Sequence, residues 1–260
     1  MESMKAMDTL LRTDFHTHIL PQMDDGSSSS EESLAMLREE MRQGVESLVL
    51  TPHFYPAKMD PQQFLQRRER SWETLRKAVE EAQAMHDGAE HPGAAETFPE
   101  MIPGAEVHYF EGIARTDGLS CMHLGNSRFL LLEMPFTRWT DRMITDVIEL
   151  HHRADTRVIL AHMERYLKYQ HQDVWDTLRR QGILLQANAS FFLDLRTRRK
   201  AVTLLKWEYI HVLGSDCHNM DTRPPRMEEA RNRIREASDR QLAEALTGLE
   251  QKLMEMMRGR

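Results

Sequence analysis

The chain has 260 residues, a net charge of −7 and 40% hydrophobic residues, which suits one sizeable α/β unit and argues against a nucleic-acid-binding surface. Nothing in it resembles a membrane span, residues 1–12 lack the apolar core of a signal peptide, and Cys121 and Cys217 form neither a disulfide framework nor a Cys-x-x-Cys pair. The expectation is a single domain over residues 1–260 in a reducing, cytoplasmic setting, without membrane insertion.

Residues 1–12 read as an N-terminal extension ahead of a first strand at Phe15–Leu20. That strand carries His16 and His18, which point to one face two residues apart and so offer two imidazoles to one ion. Asp24-Asp25-Gly26 follows, and Ser29 or Ser30 caps a helix from Ser30 to Gln43 that has Leu34, Leu37 and Met41 on its apolar face and stops at Gly44. The next strand, Ser47–Thr51, ends in Thr51-Pro52-His53. A long charged helix, Pro61–Ala84, leads to a Gly-, Ala- and Pro-rich surface loop at His86–Pro99.

Strands are expected at Met101–Val107, which holds Glu106, and at Phe129–Glu133. After a helix at Thr140–Arg153, the strand Arg157–Ala161 runs into His162-Met163-Glu164-Arg165. Further expected elements are a helix His171–Arg180, a strand Ile183–Ala187 and a helix Leu193–Trp207. The strand Ile210–Gly214 then enters Ser215-Asp216-Cys217-His218, with Arg223 just beyond, and helices Pro225–Ala237 and Asp239–Met257 close the chain. This alternation predicts a parallel sheet with helical crossovers, closed or distorted into a barrel of about seven strands. The alternative, an open doubly wound sheet, lacks the glycine-rich phosphate loop that would accompany it.

His16, His18, Asp25, His53, Glu106, Glu133, His162, Asp216 and His218 all fall at C-terminal strand ends, the edge where parallel α/β folds gather ligands. Nine such donors suit two or three metal ions. Four carboxylates against three divalent ions leave a formal charge of about +2, which a phosphate dianion balances, so three ions are favoured. Arg165 and Arg223 stand just beyond these residues and match the bidentate geometry of a phosphate. His108, Tyr109 and His211 are left outside the cluster because nothing pairs them with it.

Asp14-Phe15-His16-Thr17-His18-Ile19-Leu20, Asp24-Asp25-Gly26, Thr51-Pro52-His53, Gly104-Ala105-Glu106, His162-Met163-Glu164-Arg165-Tyr166 and Ser215-Asp216-Cys217-His218-Asn219 with Arg223-Pro224-Pro225 together resemble the PHP (polymerase and histidinol phosphatase) superfamily. Within it they most resemble the capsule-biosynthesis protein-tyrosine phosphatases of the CpsB/YwqE type. The resemblance implies a distorted (β/α)7, TIM-like barrel with three divalent ions: manganese, with iron, zinc or magnesium as alternatives. It implies a first ion at His16, His18, Glu106 and Asp216, a second at Glu106, Glu133 and His162, and a third at Asp25, His53 and His218. Arg165 and Arg223 would then bind phosphate, and His53 is the histidine near the third ion that could assist catalysis. The implied partner is the phosphotyrosine-bearing tail of a bacterial tyrosine kinase that regulates capsular or exopolysaccharide synthesis. The N-terminal extension bears on any oligomer contact the family makes there.

The expected chemistry is phosphomonoester hydrolysis by a hydroxide bridging two metals. Three rivals are weighed beside it. Cys217 and Arg223 have the Cys-x5-Arg spacing of thiol phosphatases, but His218 and Pro224 sit where such a loop needs free amides and a hydroxyl residue. The same metals could serve a small phosphomonoester such as histidinol phosphate. A metal-stabilised module could merely dock a phosphorylated tail.

Overall fold

The computed structural model describes residues 12–87 and 96–259. The N-terminal extension and most of the loop expected at His86–Pro99 therefore lie outside the described residues. Among the described residues there are nine parallel strand segments: β1 Thr13–Thr17, β2 Ser47–Leu50, β3 His53–Phe54, β4 Glu100–Pro103, β5 Glu106–His108, β6 Phe129–Glu133, β7 Arg157–Leu160, β8 Leu184–Asn188 and β9 Val212–Gly214. They pair in the orders β1-β2-β4 and β3-β5-β6-β7-β8-β9.

One expected strand is broken in the structure, and another is followed by a short strand that was not expected. Met101–Val107 divides into β4 and β5 at Gly104-Ala105, and Pro52 separates β2 from a short β3. Pro52 has no amide to donate, and a Cβ on Gly104 would lie 2.7 Å from Leu124 Cδ2. Backbone bonds carry the ladder over both breaks: Gly104 N donates to Leu50 O at 2.8 Å and Glu106 N to Pro52 O at 3.1 Å. The far edge returns to the first strand, where Asp216 N donates to His16 O at 2.8 Å and His18 N to Cys217 O at 3.0 Å. The result is a mixed α/β fold around a curled parallel sheet, consistent with a TIM-like architecture.

Among the described residues eight α-helices flank the sheet: α1 Ser30–Arg42, α2 Pro61–Asp87, α3 Asp141–His151, α4 Gln172–Arg180, α5 Ala189–Leu193, α6 Arg198–Lys206, α7 Met227–Ala237 and α8 Arg240–Arg258. Ser29 caps α1, its hydroxyl accepting from Glu32 N at 3.2 Å. The helix expected over Leu193–Trp207 is two helices. Asp194 stops the first, its side chain accepting from Arg196 N at 2.7 Å while its carbonyl accepts from Thr197 N and Arg198 N, an Asx-type turn that competes with the helix.

The core has two parts. The larger lies between the strands and the surrounding helices. The smaller fills the space inside the curl: Phe15, Val49, Ile102, Leu131, Ile159 and Val212 come from successive strands and pack against Leu253, Met254 and Met257 of α8. The end of α8 sits at the N-terminal ends of the strands, where Asn126 N donates to Met257 O at 2.7 Å and Arg258 reaches Glu100 and Ser47. Among the described residues no helix is long and apolar enough to cross a membrane.

Two histidines, buried His151 and half-buried His211, hold strand amides through unprotonated nitrogens. His211 Nδ1 accepts from Leu185 N at 3.0 Å and His151 Nδ1 from Val158 N at 3.1 Å. Burial, with Arg179 beside His211 and with His152 and Arg157 beside His151, lowers both pKa values to about 4. Protonation would cost each acceptor its bond. The unfolded chain binds these protons near pH 6.5, so stability falls as pH drops from about 6.5 to about 4 and gains nothing from these groups above that window. In chelator-treated protein, His211→Gln should narrow the difference in urea midpoint between pH 7.5 and pH 5. An unchanged difference in both His211→Gln and His151→Gln would show that neither residue governs acid stability.

Candidate metal centre

At the C-terminal ends of the strands the chain exchanges apolar side chains for donors. His16 and His18 bring their Nε2 atoms to 3.1 Å. Glu106 Oε2 lies 3.2 Å from His16 Nε2, 3.4 Å from His18 Nε2 and 2.9 Å from His53 Nδ1, and its other oxygen lies 2.9 Å from His162 Nε2. Asp216 Oδ1 lies 3.6 Å from His16 Nε2 and 3.4 Å from His18 Nε2. Glu133 Oε1 is 3.4 Å from His162 Nε2. At the open edge, exposed Asp25 places Oδ1 3.6 Å from both His53 Nε2 and His218 Nε2. Ligands about 2.1 Å from a shared ion lie roughly 3.0–3.4 Å apart, which is the spacing seen here. All nine residues singled out in the sequence are thus gathered in one place.

Two glycines permit the crowding. A Cβ on Gly214 would lie 2.5 Å from His16 Cβ, and one on Gly26 would lie 2.2 Å from the His18 carbonyl oxygen. His162 and Asp216 both adopt left-handed backbone, at φ 31° and 55°. Such conformations cost about 1–3 kcal/mol each in non-glycine residues and concentrate at functional sites.

The donor set fits cations on physical grounds. His18 Nδ1 donates to Asp24 Oδ2 at 2.7 Å and His16 Nδ1 to Gln186 Oε1 at 3.2 Å, which leaves both Nε2 lone pairs facing Glu106 and Asp216. Lone pairs facing carboxylates repel unless a cation stands between them. Glu106 Oε2, His53 Nδ1 and His218 Nε2 are buried without a hydrogen-bond partner, and the close approach of His53 to Glu106 is not aligned as a hydrogen bond.

The protonation balance carries the same demand. Burial opposes charge on every group, yet Asp24, Asp216 and Glu106 outweigh it and hold the pKa of His18 well above its ordinary value. His162, against the same burial, rises to about 9 through Glu106 and Glu133. Burial of Glu106 is overcome by His16 and His53, which keep it well below the carboxylate range, and Glu133 falls to about 2 through His108 and His162. Protons thus supply positive charge that metal ions would supply instead.

Arg165 and Arg223 converge on one atom, Asp216 Oδ2; Arg223 Nη2 is 2.8 Å from it, and Asn188 Nδ2 donates to it at 2.8 Å. Both arginine side chains stay about one-third exposed, at 35% and 36%.

Four contributors lie outside the set read from the sequence. Asp24 ties His18 to the backbone of His53, whose N it accepts at 2.8 Å. Gln186 holds His16 and accepts from His162 N at 2.6 Å, and it donates to Asn188 Oδ1 at 2.9 Å. His108, set aside above, is corrected: its Nδ1 lies 3.0 Å from Glu133 Oε2. Tyr109 donates instead to Asp146, and His211 binds the β8 backbone.

Cys217 is buried, with Sγ 3.9 Å from Glu40 Oε1. Burial, together with Glu40 and Asp14, pushes its thiol well above the ordinary range, the reverse of what a thiolate nucleophile needs.

A family model described as capsular polysaccharide synthesis, CpsB/CapC, matches residues 12–254. The tyrosine-protein phosphatase CpsB of Streptococcus pneumoniae is 30% identical over 230 residues, covering 84% of this chain and 87% of the relative. The tyrosine-protein phosphatase YwqE of Bacillus subtilis is 25% identical over 230 residues, covering 84% and 81%. A solved structure from work on YwqE and CpsB, described there as unique metal-dependent tyrosine phosphatases, superposes with a TM-score of 0.72 at 22% identity over 95% of both chains, a likeness of fold.

Proposed function

The chain belongs to the CpsB/CapC family of capsular polysaccharide synthesis, and from that premise we propose that it is a metal-dependent protein-tyrosine phosphatase. The observation that carries this reading is the Asp216 side chain. One of its oxygens faces His16 and His18 while the other receives Arg165, Arg223 and Asn188. A cation-binding group and a pair of guanidinium groups share one carboxylate, and a phosphate monoester is a ligand suited to both.

In this reading the chain is one domain over residues 1–260, a distorted (β/α)7 barrel of the PHP kind. His16, His18, Glu106 and Asp216 hold a first ion, Glu106, Glu133 and His162 a second, and Asp25, His53 and His218 a third. The mixed imidazole and carboxylate set suits manganese, with iron, zinc and magnesium as competitors. When bound, the ions supply Lewis-acid polarisation and make a water acidic enough to react near neutral pH.

The chain's own residues do the rest. Arg165 and Arg223 bind the phosphoryl oxygens and stabilise the charge that builds on them. Asp24 and Gln186 fix the orientation of His18 and His16. His53, its side chain 11% exposed beside Asp25, assists from the third ion's edge of the centre, where it would help hold that ion near the departing phenolate. A phenol has a pKa near 10, so the leaving group needs little help. The physiological substrate is the phosphotyrosine-bearing tail of a bacterial tyrosine kinase that regulates capsular or exopolysaccharide synthesis, met in the cytoplasm.

The test compares kcat/KM on a phosphotyrosine peptide, the matching phosphoserine peptide and histidinol phosphate at equal manganese loading. Phosphotyrosine should lead clearly, because phosphoserine is shorter and has the poorer leaving group. A preference for histidinol phosphate would overturn the tyrosine-phosphatase reading and leave the metal centre standing.

A further inference from the structure

Beside the centre a groove of about 510 Å³ runs outward from Arg165. Its inner wall is aromatic: Phe136 is 44% exposed and stacks on His162 at 5.8 Å and on Tyr166 at 5.6 Å. Tyr169 and Phe191 continue the apolar floor, and Lys168 and Lys200 stand at the groove as its cations. Glu164, its one carboxylate, is held at the Asn188 amide at 3.3 Å.

The charges at the outer end run against local rules. The first turn of α6 carries Arg198, Arg199 and Lys200 and no acid, and exposed Arg196 precedes it. A helix N-terminus is the positive end of the helix dipole, so cations there are unfavourable. Helices α1 and α7 show the usual arrangement, with Glu31 and Glu32 opening α1 and Glu228 and Glu229 opening α7, whereas the first turns of α2 and α8 hold no acid, and of these helices only α6 opens on three cations. Lys168, Arg196, Arg198, Arg199 and Lys200 form no ion pair among the described residues, in a chain whose net charge is −7. Lys168 Nζ lies 4.7 Å from the centre of the Tyr169 ring, and a ligand of opposite charge would offset the remaining excess of cations.

We propose that this groove docks the acidic residues flanking the scissile phosphotyrosine of a polypeptide substrate, with Lys168 and Lys200 reading their charge and Phe136 and Tyr169 packing against their backbone and side chains. The inference rests on the tyrosine-phosphatase reading and adds a sequence preference to it. The groove begins at Arg165, so a chain whose phosphate reaches the centre lays its neighbouring residues along it. An isolated phenyl phosphate does not extend that far.

The test uses the manganese-loaded protein and two phosphotyrosine peptides of equal length, one with Asp and Glu flanking the tyrosine and one with Ser and Gln, each normalised to turnover of phenyl phosphate. The acidic peptide should have a kcat/KM about tenfold higher, the size that a few exposed charge pairs add up to. In Lys168→Glu/Lys200→Glu the ratio should fall to about one or invert. Fluorescence anisotropy with non-hydrolysable phosphonate versions of both peptides reads the groove without chemistry. Tighter binding of the acidic phosphonate with no turnover of any substrate would uphold the groove and sink the phosphatase reading. Equal handling of both peptides by the wild type, or a ratio unchanged in the double variant, would overturn the proposal. So would lysine-dependent binding to phosphatidylglycerol vesicles without peptide discrimination, which would assign the cations to a membrane surface.

Discussion

Glu106→Ala is expected to lose bound metal and phosphatase activity together, with turnover falling by about 10³-fold or more, as the loss of several kcal/mol of metal-ion stabilisation requires. Glu106 is fully buried, and its two oxygens face His16, His18 and His53 on one side and His162 on the other. Without it, imidazoles that now share one anion would face each other across a gap, and the centre would lose the ligand proposed to be common to two ions. Arg165→Ala and Arg223→Ala should behave differently. They should retain metal but bind phosphate more weakly, by about 1.5–3 kcal/mol for each charged hydrogen bond removed. Metal analysis of the three purified variants separates the cases. Full metal content in Glu106→Ala would remove that residue from the centre.

Chelation is expected to abolish activity, and added manganese to restore it, while Cys217→Ala remains active. The thiol points at Glu40 within a buried group and away from the donors of the centre, and burial beside Asp14 and Glu40 keeps it protonated. An active metal-free protein that is killed by Cys217→Ala would reverse the assignment. The variant is also a check on folding, since Cys217 packs in the main core. Its loss should cost stability in the manner of other large-to-small changes without touching turnover by the folded fraction.

The centre was unusually legible because its donors punctuate apolar strands. A short run such as Phe129–Glu133 or Arg157–Ala161 announces a buried strand, and the first polar residue at its end stands on the functional edge. Strand β8 contributed nothing to the expected site, yet Leu184-Leu185-Gln186-Ala187-Asn188 carries two polar residues on one face of a buried strand. That was a signal, and Gln186 and Asn188 turn out to hold His16, His162 and Asp216. His108 was readable in the same way, two residues after Glu106 on one strand. Asp24 was not, because a turn next to Asp25 gives no hint of which of two neighbouring carboxylates backs His18. The broken elements were missed for a related reason. Met101–Val107 and Leu193–Trp207 were read across breakers that they carry, Pro103-Gly104 and Asp194, and the close approach of Leu124 and the Asp194 turn divide them there.

The layer of Phe15, Val49, Ile102, Leu131, Ile159 and Val212, backed by α8, gives the curled sheet a solid floor. A vessel with one opening imposes an order on traffic. In the proposed function, phosphate freed above that floor would leave past Arg165 and Arg223, the residues that the next phosphorylated chain would engage. Departure and arrival would then exclude each other, and the dephosphorylated tyrosine, nearer the mouth, would leave first.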